Sequence, residues 1–355
     1  MTAWPELVQA MLNPAFYPHP TAGVKLVQTQ MSYLFLTGEY AYKVKKPVNL
    51  GYLDYTTLEQ RRHFCQQEVE LNRRLCPDTY LDVLSIGRER DQLRLGGGAV
   101  EEYAVKMRQL PQDRMMDVLL SKNQVSEDMV RQVAQKLAGF HRQAQTNAEI
   151  SRYGSLSAIL VNTEENFSQT RKYIGVSISQ KQYLNIKAYT DAFTGQNAWL
   201  LGKRVQEGRI RDGHGDLHSA HVCFVDGICI YDCIEFNERF RYCDVASEIA
   251  FLAMDLDFHH QPGLSKHFIK SYVESSQDKE LLKLLNFYKC YRAYVRGKVE
   301  SFKLDDPYIP EGEKTRVLDV AKRYFGLAEE FIFNLRRRKS HGILDTSIRP
   351  EEFFE

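Results

Sequence analysis

The pattern of apolar and polar positions divides the chain into a β-rich first part and a mostly helical remainder. Short runs of β-prone residues over 24–28, 33–36 and 40–45 predict three strands, and 92–95 and 101–107 predict two more. Between these groups, Thr56-Thr57-Leu58-Glu59 is typical of a capping box at the start of a helix, which we expect to end before Pro77. The first part therefore predicts a small antiparallel β lobe with one helix.

From about Gln112 onward, the apolar spacing is helical. In 126–145 the apolar residues fall at positions 129, 130, 133, 137, 140 and 144, which is one face of a helix begun by Ser126. Further helices are predicted over 164–173, 180–193, 246–256, 265–274, 279–303 and 314–337. The chain is therefore predicted to be a two-lobed α+β protein, with a β-rich lobe over 1–108 and a helical lobe over 109–355.

A predicted hairpin interrupts the helices of the second lobe. The β-prone runs 222–225 and 228–231 flank Asp226-Gly227, a dipeptide suited to a two-residue type I′ turn. Such a turn pairs Val225 with Ile228 and, along the same ladder, His221 with Asp232. Directly opposed residues have Cβ atoms about 4.5–5.5 Å apart, so this pair could hold a metal ion.

The residues around this hairpin suit phosphoryl transfer. Asp216 lies just upstream of it, in a glycine-containing loop. Phosphoryl transfer needs a carboxylate that orients the acceptor hydroxyl, together with ligands for a Mg²⁺ ion that bridges the nucleotide phosphates. Asp216 is the candidate for the first role, and Asp232 and His221 are the candidates for the second.

The motif His214-Gly215-Asp216-Leu217-His218 followed by Asp232 resembles the catalytic core of the aminoglycoside phosphotransferase-like kinases, relatives of protein and choline kinases. The stretch 230–258 resembles one bacterial subgroup, whose members are often fused to a C-terminal P-loop ATPase domain. The similarity runs from about Leu36 to about Lys303. It implies a bilobal protein-kinase-like fold, ATP or GTP with Mg²⁺ as cofactors, and a small-molecule acceptor. No GxxxxGK[ST] motif occurs, so we expect that ATPase domain to be missing here.

The resemblance also implies roles for further residues. His214 would brace the catalytic loop, and Asp244 would support that loop from below. His218 and Glu235 would lie near enough to contact phosphate or metal. The segment between the lobes would be the hinge whose backbone meets the adenine, and its residues are Met107, Arg108, Gln109 and Leu110.

One position departs from the family pattern. The second metal ligand of the family is usually an asparagine five residues after the catalytic aspartate, and here that position is His221. Imidazole is a poor ligand for Mg²⁺ but a good one for Mn²⁺ or Zn²⁺. Three explanations stand: His221 binds a softer metal, coordination is left to Asp232 and water, or the protein is a weakened kinase.

Lys43 lies in Ala41-Tyr42-Lys43, which resembles the lysine strand of kinases, where the lysine binds the α/β-phosphates while paired with a helix glutamate. Lys45 shares its strand face because faces alternate with period two, and it is a second candidate phosphate contact. On the following helix Glu68 falls within an apolar arc, where a carboxylate is costly unless a cation pairs with it. Lys43 is the candidate cation, and both residues join Asp216 in the predicted catalytic set. The alternatives are a basic edge strand and a glutamate at the lobe surface.

The helix predicted over 279–303 carries a positive stripe, since Lys289, Arg292 and Arg296 fall within one arc. Such a stripe favours an anionic acceptor bound by Arg292 and Arg296. The alternative is a solvated charged face.

A zinc site is a further alternative for the catalytic segment. His214, His218, His221 and Cys223 are all able to bind Zn²⁺. Their spacing differs from the paired short spacings of closed structural zinc sites.

Composition excludes several classes of protein. The chain has 355 residues, and its 47 Lys+Arg against 46 Asp+Glu give no reason to expect binding to nucleic acid or to a membrane surface. It shows no secretory signal and no apolar run of the about 20 residues that a spanning helix needs. Seven cysteines without a CxxC pair predict reduced thiols and a cytoplasmic protein. The oligomeric state stays open.

The sequence thus predicts a small-molecule kinase that phosphorylates a hydroxyl or amine group. The alternative that His221 keeps open is a pseudokinase-type module that binds nucleotide or a partner protein without turnover. A protein kinase is a weaker alternative, because the chain has no D-F-G and A-P-E pair.

Overall fold

The computed structural model of the chain describes residues 5–306 and 309–340, the last seven of these without their side chains. In these ranges the strands are, in chain order, β1 (Lys25–Gln28), β2 (Ser32–Leu36), β3 (Tyr40–Lys45), β4 (Tyr80–Glu89), β5 (Gln92–Leu95), β6 (Ala99–Arg108), β7 (Ile210–Asp212), β8 (Val222–Val225), β9 (Gly227–Ile230) and β10 (Tyr242–Asp244).

The α-helices of the same ranges follow in chain order. They are α1 (Glu6–Leu12), α2 (Leu58–Arg73), α3 (Met116–Ser121), α4 (Glu127–Gln143), α5 (Ala148–Ser151), α6 (Leu156–Thr170), α7 (Gln180–Gln196), α8 (Ala198–Gln206), α9 (Glu238–Arg241), α10 (Val245–Phe258), α11 (Pro262–Ser276), α12 (Leu285–Phe302) and α13 (Glu311–Ser340).

The described residues pack as two units. The sheet unit comprises the residues up to Leu119 together with Ala220–Arg241, and the helical unit comprises Leu120–Ser219 with the residues from Tyr242 onward. The β8–β9 hairpin therefore packs with the first part of the chain. The predicted functional division into 1–108 and 109–355 stays a prediction.

The sheet unit is built on six antiparallel strands in the order β1-β2-β3-β6-β4-β5. Alternation along β3 sends Tyr42 and Val44 into a core with α1, and sends Ala41 to the opposite face, into a core with α2. Lys43 and Lys45 share the Ala41 face by the same alternation. The sheet thus aims both lysines toward the helix that carries Glu68.

The five strands expected in the first part of the chain are present as β1, β2, β3, β5 and β6. The sequence pattern missed β4, which pairs with both β5 and β6. Its register shifts between Tyr80 and Asp82 and again between Ile86 and Gly87. Each irregularity interrupts the alternation of side chains, which explains the weak pattern.

The predicted helix α2 is present, but its capping box lies one residue later than expected. The backbone N–H of Gln60 donates to Oγ1 of Thr57 (3.2 Å), and the N–H of Thr57 donates to Oε1 of Gln60 (3.0 Å). Thr56 instead hydrogen-bonds Asp54. The Thr-x-x-Glu assignment was therefore wrong, and Thr-x-x-Gln replaces it.

The predicted register of the hairpin was also wrong by one position. Val225 pairs with Gly227 and Val222 with Ile230, so Asp226 alone forms the tip. Gly227 has φ of 100°, a conformation that glycine adopts without steric cost. The type I′ turn and the pair His221–Asp232 are therefore not formed. Instead, the N–H of Tyr231 donates to the carbonyl of His221 (3.0 Å).

The same hairpin carries a disulfide that the sequence analysis did not expect. Cys76, just after α2, is joined to Cys229 of β9, with Cα atoms 4.7 Å apart. The other five cysteines are free thiols. The expectation of seven reduced thiols is contradicted, because the folded hairpin places Cys229 beside the end of α2.

The helical unit contains the predicted helices, with α5 and α8 in addition. The stretch predicted as one helix over 279–303 is divided into a short 3₁₀ turn, Lys279–Lys283, and α12. One core cluster of the unit gathers residues of α6, α7, α10, α12 and α13, among them Phe167, Ile186, Phe251, Tyr294 and Phe325. None of the described helices is long and apolar enough to serve as a membrane span.

A short antiparallel pair, β7 with β10, positions the loop that contains Asp216. Asp212 of β7 pairs with Tyr242, and Ile210 pairs with Asp244 at the start of α10. The loop 213–219 leaves β7 directly, so its beginning is fixed against α10. An antiparallel sheet with a helix on each face, together with a mostly helical unit, confirms the predicted α+β fold class.

Candidate active site

Lys43 and Glu68 form an ion pair in the sheet unit. Nζ of Lys43 lies 2.8 Å from Oε1 of Glu68, and Glu68 is fully buried. Burial alone would lower the pKa of Lys43, but the carboxylates of Asp232 and Glu68 more than offset it and hold this pKa well above the usual value. Burial likewise opposes ionisation of Glu68, yet Lys43 and Lys45 lower its pKa. Both residues are therefore charged at neutral pH.

Asp232 is the third member of this group. Its Oδ1 lies 2.7 Å from Nζ of Lys43, and its side chain is 41% exposed, against 18% for the lysine. Its backbone N–H donates to the hydroxyl of Tyr80 (3.2 Å), and it has φ of 61°. This left-handed conformation, rare for residues other than glycine, takes the chain out of β9. The structure thus brings Lys43, Glu68 and Asp232 together.

His221 stays beside Asp232 despite the changed register. Nε2 of His221 lies 3.6 Å from Oδ2 of Asp232. A carboxylate and an imidazole this close can bind one divalent cation, and the pair suits Mn²⁺ better than Mg²⁺ because Mg²⁺ prefers oxygen ligands. These two residues therefore fit the predicted metal site, with His221 as the softer ligand.

Lys45 and Glu235 have contacts that differ from the predicted ones. Lys45 is 1% exposed and donates to Oε2 of Glu68 (2.7 Å) and to Oε1 of Glu235. Glu235 also accepts from the hydroxyl of Tyr55 (2.6 Å). The nearby carboxylates outweigh burial and raise the pKa of Lys45. The two residues are bound to each other rather than presented to a ligand.

The predicted hinge residues lie at the end of β6. Met107 packs in the core beneath α2, and Leu110 packs beside the Cys76–Cys229 disulfide. The N–H of Arg108 donates to Thr79 O and that of Gln109 to Glu39 O, each at 2.9 Å. The predicted adenine contacts stay a prediction, and these two backbone N–H groups already have partners.

In the helical unit, Glu248 braces the loop that contains Asp216. Its Oε1 accepts the backbone N–H groups of His214 (2.7 Å) and Gly215 (2.5 Å), while its Oε2 lies 2.9 Å from Nε2 of His141. Burial would raise the pKa of Glu248, but the hydrogen bond and charge of His141 and the loop itself lower it to about 2. A buried carboxylate thus fixes the start of the loop that contains Asp216.

Gly213 permits this close approach. A Cβ at this position would lie 2.4 Å from Oε2 of Glu248, nearer than real Cβ contacts come. Within the loop, the N–H of Asp216 donates to Nδ1 of His214 (3.3 Å). The imidazole of His214 therefore contacts the backbone of Asp216.

Asp244 supports the loop indirectly. Its carboxylate binds Arg204 (2.6 and 2.9 Å) and caps α10 through the N–H of Ala246 (2.9 Å). Arg204 is fully buried and also binds Asp278 (2.7 Å). Asp244 thus has structural contacts with α8 and α10, and direct support of the loop comes from Glu248.

The predicted basic stripe on α12 is not a solvated face. Arg292 is 7% exposed, and its guanidinium donates to Oγ of Ser247 (3.1 Å) and to the carbonyl of Gly215 (3.2 Å). Lys289 is equally buried and pairs with Asp257 (2.7 Å). The alternative of a solvated charged face is therefore wrong for Lys289 and Arg292, because helix packing turns these two side chains inward. Arg292 is placed to brace the loop that contains Asp216.

The remaining candidates of the helical unit lie near Asp216. Nε2 of His218 is 3.6 Å from Oδ2 of Asp216, and its ring packs on Phe251. Arg296 lies 3.7 Å from Glu300, and neighbouring groups, Asp216 among them, raise its pKa against the effect of burial. A substrate role for His218 or Arg296 stays a prediction.

The zinc alternative loses one of its ligands. Cys223 lies in an apolar cluster with Met115 and the Cys76–Cys229 disulfide. Burial raises the pKa of its thiol to about 11, which disfavours the thiolate that binds zinc.

Sequence reasoning missed several residues that hold these groups, chiefly Tyr55, Asn72, Tyr80, His141 and Glu248. Glu248 left a detectable signal, since it is a lone carboxylate in the otherwise small and apolar stretch 245–254. A charge in such a stretch is costly without partners, which indicates a structural carboxylate. The others carry no signal of their own, because their partners are distant in sequence.

No family model matches the sequence. Uncharacterized proteins of Mycobacterium bovis and Mycobacterium tuberculosis are 34% identical to it over 274 residues. The aligned region is 77% of this chain and 54% of each relative, so the chain spans about half the length of the curated relatives that it matches.

Several solved structures are similar to the chain in fold. A choline/ethanolamine kinase family protein from Mesorhizobium loti is 11% identical, with 91% of this chain and 99% of that chain covered, at a TM-score of 0.48. Amicoumacin kinase in complex with AMP-PNP and Ca²⁺ is 13% identical, with 90% and 92% covered, at 0.49. An ADP-bound aminoglycoside phosphotransferase is 13% identical, with 87% and 95% covered, at 0.46.

Proposed function

We propose that the protein is a small-molecule kinase, which transfers the γ-phosphate of ATP to a hydroxyl or amine group. The observation that carries this proposal is the group of Lys43, Glu68 and Asp232. A lysine paired with a buried helix glutamate and placed beside an accessible carboxylate is the constellation that holds nucleotide phosphates and their metal ion in kinases. A purely structural ion pair does not need the exposed third member.

In this mechanism Lys43 binds the phosphates, and Glu68 fixes its direction. Asp232 and His221 would hold the divalent cation, which supplies charge neutralisation at the phosphates when it is bound. Asp216 orients the acceptor group for attack, and the brace from Glu248 limits the loop to one conformation. Positioning and electrostatics of this kind supply most of the catalysis in phosphoryl transfer.

The acceptor is left open. The anionic acceptor inferred from the basic stripe loses its support, since Lys289 and Arg292 are bound to groups of the protein itself. The choice between ATP and GTP stays open, and the cytoplasmic location loses the support of seven reduced thiols.

A catalytically weak, nucleotide-binding module is the second candidate function. The observation that favours it is His221, which takes the place of the usual asparagine and lies beside Asp232. The two candidates differ in turnover rather than in binding.

The test combines thermal-shift titration of ATP, in Mg²⁺ and in Mn²⁺, with ATP turnover in the absence of an acceptor. A kinase shows a metal-dependent shift and slow ATP hydrolysis with water as the acceptor. Asp216→Asn should keep the shift and lose about 10²–10⁴-fold in turnover, the size of a general acid–base contribution. Asp232→Asn should lose the metal-dependent part of the shift. Asp226→Asn, at the exposed hairpin tip, is the matched control.

The outcomes separate the candidates. Binding of ATP without turnover in either metal favours the module. Wild-type turnover by Asp216→Asn, or no thermal shift with ATP in either metal, would contradict the kinase proposal.

A further inference from the structure

A second layer of buried charges lies behind the Lys43–Glu68 pair. Lys45 is 1% exposed and Glu235 is 8% exposed, so neither reaches solvent freely. Lys45 donates to both Glu68 and Glu235 and lies over the ring of Tyr55, 4.9 Å from its centroid. The roles proposed for Lys43 and Asp232 do not explain why this second layer is present.

Lys43 and Lys45 each bind a different oxygen of the Glu68 carboxylate. Oε1 accepts from Lys43 at 2.8 Å, and Oε2 accepts from Lys45 at 2.7 Å. Because each oxygen has its own cation, the carboxylate has one favoured orientation. Without Lys45, a fully buried Oε2 would lose its partner, and rotation of Glu68 toward Lys43 alone would alter the direction of that lysine.

Glu235 fixes Lys45 in turn. It supplies the second negative charge to Lys45 and accepts a hydrogen bond from the hydroxyl of Tyr55 at 2.6 Å. Burial is the largest cause that raises the pKa of Tyr55, and the contact with Glu235 raises it further. The hydroxyl therefore stays protonated and remains a donor. Tyr55, Glu235, Lys45 and Glu68 therefore form one continuous chain of hydrogen bonds.

The same chain of contacts ties the metal-binding segment to α2. Asn72 donates to the carbonyl of Glu68 (2.8 Å) and accepts the N–H of Cys233 (2.9 Å). Cys233 follows Asp232 directly, and Glu235 comes two residues later. The segment is thus held against α2 at both ends, through Asn72 and through the Lys45–Glu235 pair.

We infer that Lys45 and Glu235 are positioning residues, which fix Glu68 and Lys43 and hold the Asp232 segment against α2 without contacting the nucleotide. This inference rests on the proposed function and replaces the phosphate contact predicted for Lys45 and the phosphate or metal contact predicted for Glu235. Both members of the buried pair lead to residues of the candidate site, since Lys45 binds Glu68 and Glu235 follows Asp232 by three residues.

The test compares Lys45→Met and Glu235→Gln with matched controls on exposed positions, Lys25→Met and Glu70→Gln. For each variant we would measure kcat and KM of ATP for ATP hydrolysis without an acceptor, together with the affinity for Mn²⁺. The crystal structure of Lys45→Met would also be determined. We expect kcat to fall on the order of 10–100-fold in both site variants, with KM and metal affinity changed by less than about threefold. In that crystal structure, Nζ of Lys43 and Oε1 of Glu68 should be more than 4 Å apart, or the carboxylate of Glu68 should be rotated relative to the wild type.

The double variant Lys45→Met/Glu235→Gln tests whether the two residues act as one unit. Its loss of kcat should be about that of the worse single variant rather than the product of both losses. Lys45→Arg, which keeps the charge, should recover part of the lost kcat. If Lys45→Met does not fold, Glu235→Gln and Lys45→Arg carry the same measurements.

Three results would overturn the inference. A tenfold or greater rise in KM of ATP at unchanged kcat would make Lys45 a phosphate ligand. A comparable loss of Mn²⁺ affinity in Glu235→Gln would make Glu235 a metal ligand. An unchanged Lys43–Glu68 distance with unchanged kcat would leave the pair purely structural. If the wild-type protein has no turnover, the proposed function fails, and the crystal structure of Lys45→Met still decides the inference.

Discussion

Nζ of Lys43 lies 2.8 Å from Oε1 of Glu68, although 25 positions separate them in the chain. The pair forms because strand alternation and helical periodicity turn both side chains toward the same space between β3 and α2. Glu68 has no exposed surface, so its charge depends on Lys43 and Lys45.

Glu68→Gln should therefore reduce both stability and turnover. Breaking a buried ion pair by removing one partner typically costs about 3–5 kcal/mol. Two lysines would lose their shared carboxylate, so we also expect kcat to fall about tenfold or more, since 1.4 kcal/mol corresponds to a factor of ten. Urea unfolding and ATP turnover measure the two effects. Glu70→Gln, on the exposed side of the same helix, is the control, and equal behaviour of the two variants would refute the prediction.

His221→Asn should change the metal preference. His221 lies beside Asp232 and offers nitrogen where Mg²⁺ prefers oxygen, so an amide oxygen should improve binding of Mg²⁺ relative to Mn²⁺. We expect the ratio of kcat/KM in Mg²⁺ to that in Mn²⁺ to rise on the order of tenfold, which requires only about 1.4 kcal/mol. His259→Asn is a control at a histidine outside the predicted metal site. An unchanged ratio would mean that His221 does not bind the metal.

Glu248 should make stability depend on pH in the acidic range. Its pKa is lowered to about 2 in the folded protein, below the usual value of about 4.3. The stabilisation is therefore complete above about pH 5 and is lost as the pH falls through the folded pKa. At about 1.4 kcal/mol per pKa unit, the contribution is roughly 3 kcal/mol.

Urea unfolding of the wild type and of Glu248→Gln at pH 6, 4 and 3 measures this contribution. The difference in unfolding free energy should narrow as the pH falls, because protonation makes the wild type resemble the variant. Glu149→Gln, with a side chain 70% exposed, should show no such trend. A constant difference from pH 6 to pH 3 would contradict the prediction.

The Cys76–Cys229 disulfide gives a direct thiol count. Protein denatured without reductant should react at five thiols, and at seven after reduction. The bond closes a loop of 153 residues, for which the chain-entropy estimate is about 5 kcal/mol of stability. Cys229→Ser should accordingly lower Tm under non-reducing conditions, whereas Cys243→Ser, at a free thiol, should have a smaller effect. Seven reactive thiols before reduction would show that the bond does not form.

Local periodicity predicted much of the fold and part of the candidate site. The strand containing Lys43 and the apolar arc containing Glu68 are visible in the sequence because each depends on a single repeating pattern. Asp232 and His221 were found for a different reason, since the hairpin between them could be recognised from its flanking β-prone runs. Their predicted cross-strand pairing was nevertheless wrong by one residue.

That error shows where local patterns lose information. A two-residue turn and a tip formed by Asp226 alone are both compatible with Asp226-Gly227, and the choice shifts every pair along the ladder. In the structure His221 still lies 3.6 Å from Asp232, and Asp232 has a left-handed conformation that no sequence pattern indicates. The helical spacing of Lys289 and Arg292 likewise defined an arc, but not whether that arc faces solvent or the core.

The sequence by itself determined the α+β class, most elements and the residue types available for chemistry, because strands and helices follow from repeats of two and 3.6 residues. Only the tertiary structure decided which charges meet. Lys45 with Glu235, Glu248 with the loop at 214–215, and Cys76 with Cys229 join positions distant along the chain. The physical reason is that burial makes an unpaired charge costly but does not determine which residue pairs with it. The partner is determined by how elements that are distant along the chain pack together.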